Sequence, residues 1–257
     1  MRLWLGSPRG SALGRIHEKS RLLVAFVLMT ACTMTPVDRG LCKFASAKQV
    51  AVLALLGDQF HGVRVGMTVF GNLNYEAAVP EWQIESFSEH LVVSWLRDKY
   101  ALKASPLIFD TAQRRRFLES RGFFAGYNYD EILARAKAQG SDAIVLVIPS
   151  SYDFHKPGYG FFQRGKERRC VYSSFFVDVY ATASGDKLGA AGRRPCESGE
   201  RDIPWREKFD EYSELEKTTL RAKVEANLKV AIPTALDDAY FKTTLWAERV
   251  CVGSGDA

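Results

Sequence analysis

An apolar run that ends at a cysteine constrains this chain most. Residues 22–30 are uncharged and follow a leader with five Lys or Arg and one Glu, and the run ends at Thr30-Ala31-Cys32. The run is too short to cross the ~30 Å hydrocarbon core of a bilayer, which favours a signal peptide. Small residues before a cysteine are typical of bacterial lipoproteins. We therefore expect residues 1–31 to be a signal peptide and Cys32 to be lipidated; a plain signal peptide cut a few residues later is the alternative.

The domain organisation follows from that cleavage. We expect the polar, turn-rich residues 32–47 to be a lipidated tether and residues 48–257 to form a single domain. The acyl chains would anchor this domain to a membrane, facing the periplasm. Thr33 stands where lipoproteins retained in the inner membrane carry aspartate, which favours the outer membrane.

The charge balance argues against a nucleic-acid partner. The whole chain carries a formal charge of +5, of which the first 31 residues contribute +4, so the remainder is close to neutral. Binding to phosphate backbones requires a surplus of Lys and Arg on one face. The basic clusters at 114–116 and 166–169 are short and typical of a solvated helix face or loop.

Four cysteines follow Cys32, an even number that is typical of disulfides in an oxidising compartment. None of them has CxxC spacing, so we do not expect these cysteines to bind zinc. No cofactor motif is recognised, and no cofactor is expected. Cys170 and Cys196 flank a predicted hairpin, and they are the first pair expected. Cys42 and Cys251 lie near the two ends of the domain and form the second. Four cysteines allow three connectivities.

The order of apolar segments predicts the fold class. Residues 49–56 and 143–148 are short, continuous apolar runs, typical of strands buried on both faces. A further strand is expected within 63–70 and a loop at 72–79. Residues 171–182 and the segment from Leu188 onward predict a β-hairpin. Together these indicate an α/β fold (mixed α+β): a single mixed sheet with parallel core strands, an antiparallel edge hairpin and covering helices.

Helices are predicted between the strands and after the hairpin. Pro80 opens the first, whose solvent side should carry Ser88 and Glu89. Its apolar face is predicted to consist of Ile84, Phe87, Leu91 and Trp95. Asp110 with Gln113 resembles a capping box at the start of a second helix. The last helix is expected over 211–230, with Pro233 interrupting it.

Short motifs suggest a family. Residues 55–58 (LLGD) with 66–72 (GMTVFGN) resemble a motif pair of uncharacterised proteobacterial lipoproteins. Residues 145–148 and 176–186 match the later strand and hairpin of a broader layout, which resembles the amino-terminal domain of TolB and the soluble part of the curli-secretion lipoprotein. The resemblance covers most of residues 48–245 in layout. It implies a binding or scaffolding module of the cell envelope.

Acidic and histidine side chains follow several predicted strands. Ligands of open α/β sheets bind where parallel strands end, and Asp with His can hold a metal or share a proton. The alternative is that these aspartates only form turns and caps. The candidate ligand edge consists of Asp58, His61, Asp110, Asp153 and His155.

A glycine-rich aromatic segment with following basic residues is the candidate partner surface. Exposed aromatic side chains on a loop suit a protein or membrane partner. The alternative is that they fold over the sheet as part of the core. The residues concerned are Phe154, Tyr159, Phe161, Phe162 and Arg164.

Two functions remain open from the sequence. The favoured one is a lipid-anchored envelope module that binds a protein or cell-wall partner. The other is an envelope enzyme, a metal-assisted hydrolase that uses the strand-end Asp and His residues. A deep pocket that unites Asp58, Asp153 and His155 would favour the enzyme.

Overall fold

The computed structural model describes residues 47–66, 71–119, 129–150, 155–165, 168–193, 196 and 203–238. All of them belong to one compact unit, Pro36–Ala257, whereas the first unit, Met1–Thr35, lies outside the described residues together with Cys32. No helix in the described ranges is both long enough and apolar enough to span a bilayer.

Eight strands and four α-helices make up the described fold. The strands are β1 Gln49–Ala54, β2 Gln59–Val65, β3 Leu73–Ala78, β4 Lys103–Pro106, β5 Ala143–Pro149, β6 Gly158–Arg164, β7 Arg168–Ala181 and β8 Lys187–Arg193. The helices are α1 Ile84–Tyr100, α2 Thr111–Glu119, α3 Asp130–Ala138 and α4 Glu214–Leu236.

The strands form a single mixed sheet, as the sequence predicts. In its parallel part, β1 lies between β4 and β5, and β2 pairs with β6. The antiparallel part joins β7 to β5, β6 and β8, and β3 to β2. The predicted edge hairpin is β7 with β8.

Two neighbouring lines of strands, β1 followed by β2 and β5 followed by β6, are each interrupted at the same level of the sheet. Only residues 55–58 separate β1 from β2, and this short segment touches both partners. The Leu55 amide donates to the Val147 carbonyl on β5, and the Tyr159 hydroxyl on β6 donates to the Gly57 carbonyl. Therefore β1 and β2 lie end to end, β5 and β6 lie end to end beside them, and β7 runs unbroken along both.

Helices cover the sheet on both faces. α1 and α4 pack on one face, over the main hydrophobic core. α2 and α3 pack on the other face, over β1, β4 and β5. The rest of that second face carries a small cluster of Val63, Val65, Phe162, Cys170 and Tyr172. The sheet therefore has a fully covered half and a half whose second face is covered by no described helix.

Several predictions of local structure are wrong, each for a physical reason. Residues 73–78 form edge strand β3 because alternating side chains pack on β2, where the Tyr75 ring lies over Gly62. Helix α1 buries Ser88 and Glu89 instead of exposing them. Pro233 lies inside α4 without ending it.

Candidate functional site

The outer edge of the sheet has a gap at the level of the interruption. β4 lies beside β1 and β3 lies beside β2, but neither pairs with residues 55–57. Val79, directly after β3, donates its amide to the Asp58 carbonyl at 2.7 Å. A cleft of about 460 Å³ occupies the gap. Its walls are the segment after β3, the start of α1, the segment from β4 into α2, and Tyr159 beneath. This is where polar side chains from several elements meet.

Side chains replace the missing edge strand along this gap. The Ala54 amide donates to Glu89 Oε1 (3.0 Å), and the Gly57 amide donates to Glu85 Oε1 (2.9 Å). Arg114 donates from Nη1 to the Ala54 carbonyl at 3.0 Å. A buried backbone group without a partner costs about as much as a lost hydrogen bond. The first task of these three charged residues is therefore to complete the backbone pairing of the sheet.

Arg114 joins the two carboxylates into one network. Its Nη1 lies 2.7 Å from Glu89 Oε1 and 3.5 Å from Glu85 Oε2. Burial raises the pKa of Glu85, although the Gly57 amide and Arg114 oppose that shift. Burial also raises the pKa of Tyr159, and the charges of Glu85 and Asp58 add to the effect. The Tyr159 hydroxyl therefore stays protonated and acts as a hydrogen-bond donor.

The predicted aspartates Asp58 and Asp110 both line this cleft. Asp58 pairs with the exposed Arg115 at 3.2 Å. Asp110 accepts the Gln113 amide at 2.8 Å, and Gln113 accepts the Asp110 amide at 3.1 Å, which forms the predicted capping box. Each aspartate therefore has a structural partner: Asp110 forms a helix cap, and Asp58 forms an ion pair.

The predicted histidines lie elsewhere. His61 is on β2, with Nδ1 3.5 Å from Glu76, and burial lowers its pKa while Glu76 opposes the shift. His155 stacks on the Tyr172 ring and meets the edge of Phe162. Neither histidine lines the cleft, and Asp153 lies outside the described residues. Among the described residues, the geometry that would favour a metal-assisted hydrolase is not assembled.

The aromatic partner surface is a wrong prediction for three of its residues. Tyr159, Phe161 and Phe162 lie in β6 and are at most 5% exposed. Tyr159 and Phe161 enter the core under α1 and α4, whereas Phe162 packs on the second face. The segment is an interior strand of the sheet, paired with β2 and β7, and not the surface loop that the glycines suggest. Arg164 stands at the exposed end of β6, and Phe154 lies outside the described residues.

The structure joins Cys170 to Cys196 in a disulfide with a Cα–Cα distance of 5.4 Å, as the sequence predicts. His155 lies close to both sulfur atoms, within 4.8 Å. Metals bind thiolates, and a disulfide provides none. We therefore assign no metal to this group. Cys42 and Cys251 lie outside the described residues, so their pairing stays a prediction.

The sequence gives little warning of the most connected residues of the cleft. Glu85 and Glu89 read as solvent-facing helix residues, and Arg114 reads as part of a basic run. The one available signal is the strongly apolar segment 50–56, followed at once by glycine. Such a strand needs partners on both sides, and its outer partner β4 ends at Pro106, opposite Val52.

No protein-family model and no curated protein sequence matches this chain. Three solved structures are similar to it in part. A PelC dodecamer variant from Paraburkholderia phytofirmans has 8% identity and a TM-score of 0.28, covering 71% of this chain and 86% of PelC. Lipoprotein GNA1162 from Neisseria meningitidis has 12% identity and a TM-score of 0.30, with coverage of 69% and 96%. The LpoB C-terminal domain from Salmonella enterica has 6% identity and a TM-score of 0.27, with coverage of 63% and 96%.

Likenesses at this level leave the function to be argued from the residues of the chain itself. The resemblance to the TolB amino-terminal domain stays a prediction.

Proposed function

We propose that this chain is a lipoprotein of the cell envelope whose domain binds or scaffolds a protein or cell-wall partner. The leader that ends at Cys32 supports export and lipidation. The disulfide between Cys170 and Cys196 carries the proposal further, because such bonds persist in oxidising compartments and are rare in the cytosol. The same argument favours a domain that faces the periplasm, and Thr33 after the lipidated cysteine favours the outer membrane.

The cleft favours binding over catalysis. Its buried charged groups, Glu85, Glu89 and Arg114, are used to satisfy backbone groups and one another. A general acid or base needs a free reacting position within hydrogen-bond reach of substrate. Asp58 and Asp110 are held by an ion pair and a helix cap. What remains is a rigid, polar notch in the outer edge of the sheet.

We assign the partner-binding surface to this notched edge. Carboxylates outnumber guanidinium groups on its walls, so a partner with a Lys or Arg side chain at the contact has complementary charge. Ile108, which follows β4 next to the cleft, is 73% exposed and offers an apolar contact beside the notch. The backbone of the gap is already hydrogen-bonded, so recognition proceeds through side chains and not through strand addition.

Two experiments test this proposal. For lipidation, cells that express the full chain are fed a labelled fatty acid. Label is expected in the wild type and in the control Cys42→Ser, and it is expected to be absent from Cys32→Ser. A labelled Cys32→Ser protein, or an unlabelled wild type, would overturn the anchor.

For the binding surface, a photo-reactive amino acid is placed at Ile108 or, as the control, at Leu215 on α4. The two positions are similarly exposed, at 73% and 77%. Irradiation of intact cells should give one discrete cross-linked product from position 108 and none from 215. Equal products from both positions would contradict the assignment of the edge.

A further inference from the structure

A row of polar side chains lies at the far end of the sheet, on the face under α1 and α4. In this row Arg64 on β2, Gln163 on β6 and Arg169 on β7 are register partners. Residues opposite each other in neighbouring strands share a face, and side chains alternate along each strand. Gln163 is two residues from Phe161, which belongs to the core of that face. The three side chains therefore project side by side.

Trp205 borders this row. Its ring stacks on Phe161, with centroids 6.1 Å apart, and packs against Tyr75 at 5.6 Å. Phe161 and Tyr75 occupy the row next to Arg64, Gln163 and Arg169. The indole therefore packs over the row that adjoins Arg64, Gln163 and Arg169. We call Arg64, Gln163, Arg169 and Trp205 the arginine row.

The arginine row contains buried polar atoms that have no hydrogen-bond partner among the described residues. These atoms are Arg169 Nε, Gln163 Oε1 and the indole Nε1 of Trp205. Gln163 is only 5% exposed, so its amide points into the protein and not into bulk water. A buried polar atom left without a partner costs about 1–3 kcal/mol. Within the described residues, the row holds more donors than acceptors.

The charge of the row is also unbalanced. Neither Arg64 nor Arg169 forms an ion pair with a described residue. The nearby Arg206, next to Trp205, pairs with Glu216 at 3.1 Å, and its Nε has no partner in the described part of the chain. Guanidinium groups are strong donors to oxyanions, which they bind in a fork geometry. Among the described residues, two guanidinium groups and the indole N–H therefore outnumber the one unpartnered acceptor of the row, Gln163 Oε1.

We propose that the arginine row binds a phosphate group. With strands ~4.8 Å apart, the backbones of Arg64 and Arg169 are about 10 Å apart across Gln163. A tetrahedral phosphate between them has enough oxygen atoms to accept from both guanidinium groups and from the indole N–H. A planar carboxylate has two oxygen atoms, and a single guanidinium group can occupy both of them. A half-turn of the Gln163 amide presents Nε2–H to the same ligand. A lipid headgroup and a small phosphorylated molecule share this chemistry.

Calorimetric titration of the full chain in mild detergent tests the proposal, with two probes. Inorganic phosphate represents a small phosphorylated ligand, and glycerophosphoglycerol represents the soluble headgroup of a phosphodiester lipid. Binding of the diester identifies a headgroup site, and binding of inorganic phosphate alone identifies a site for small phosphorylated molecules. Failure of both probes to bind overturns the proposal.

The variants locate the binding. Arg64→Gln and Arg169→Gln should each weaken it at least tenfold, and Arg169→Lys should fall between them and the wild type because it keeps the charge but loses the fork. The control is Arg116→Gln, an arginine on α2 that is 60% exposed and remote from the row. Far-UV circular dichroism confirms that each variant folds. Unchanged binding in both glutamine variants, or an equal loss in Arg116→Gln, refutes the assignment.

Phosphate should also raise the melting temperature of the wild type, since a ligand that binds only the folded state stabilises it. The same concentration should leave the melting temperature of Arg64→Gln unchanged. This inference does not depend on the proposed partner surface, which lies at the other end of β3.

Discussion

Oε1 of Glu89 lies 2.7 Å from Nη1 of Arg114, and this contact joins two helices that pack on opposite faces of the sheet. The same carboxylate oxygen accepts the Ala54 amide at 3.0 Å. Glu89 is 4% exposed. A charge at this depth persists only when it is paired and hydrogen-bonded. The pair therefore closes the outer edge of the sheet at the point where a strand is missing.

Removing one partner should be costly. In Glu89→Ala the Ala54 amide loses its acceptor and the buried Arg114 guanidinium loses its shorter carboxylate contact, so the free energy of unfolding should fall by about 3 kcal/mol. Urea denaturation measures the change. The control is Glu131→Ala, which breaks an exposed pair with Arg116 and should cost less than about 1 kcal/mol. Similar losses in both variants would show that the Glu89 network adds no stability.

The central strands and the hairpin could be predicted because their patterns are strong. Residues 50–56 and 143–148 are continuous apolar runs. A short run of this kind is typical of a strand that is buried on both faces of a sheet. The hairpin of β7 and β8 surrounds a turn with Ser184 and Gly185. Both patterns lie in short, contiguous segments, so these elements can be predicted without knowledge of the tertiary structure.

The edge strand β3 and strand β6 could not be predicted, because they form strands only through pairing with other segments of the chain. Leu73–Ala78 is mostly exposed and polar, and only its pairing with β2 makes it a strand. Gly158 and Gly160 suggest a loop in β6. Gly160 is required because the Tyr172 hydroxyl and the His61 carbonyl occupy the space of a side chain.

The candidate site was predicted in part. Asp58 and Asp110 follow parallel strands, and topology brings them to one cleft. The sequence predicts His61 at the same edge as these aspartates, but the chain continues from β1 into β2, and His61 lies within β2 away from the cleft. The burial of Glu89 cannot be predicted from the helical pattern, because that pattern assigns charged residues to the solvent face. Its partners, the Ala54 amide and Arg114, are distant in sequence.

Reduction of the disulfide should destabilise the domain. In the chain-entropy treatment, a cross-link over a separation of 26 residues contributes about 3.5 kcal/mol. The measurement is urea denaturation with and without a dithiol reductant, in a Cys42→Ser/Cys251→Ser background that leaves only this pair in the domain. Cys196→Ser in that background should show the lower stability and no response to reductant. If the free energy of unfolding of the protein with both Cys170 and Cys196 does not change on addition of reductant, the disulfide is contradicted.

His61 should make the domain sensitive to acid. Burial lowers its pKa in the folded state below the ordinary value of about 6.5. Below pH 6.5 the unfolded chain therefore binds a proton that the folded chain resists, so stability falls as the pH drops. Between pH 7.5 and 5.5 the wild type should lose more free energy of unfolding than His61→Gln does. An identical pH response in His61→Gln and in the wild type would refute the assignment.

Gly160 should tolerate no side chain. A Cβ at this position collides with the His61 carbonyl, a backbone atom of the neighbouring strand, and meets the Tyr172 hydroxyl. Relief requires β2 and β6 to separate, so Gly160→Ala should lower the free energy of unfolding by about 3 kcal/mol. Gly140→Ala is the matched control, because its Cβ meets open space and only its φ of +75° is unfavourable, at about 1 kcal/mol. Urea denaturation of both variants decides the point: equal losses would mean that the close approach of the two strands does not require glycine.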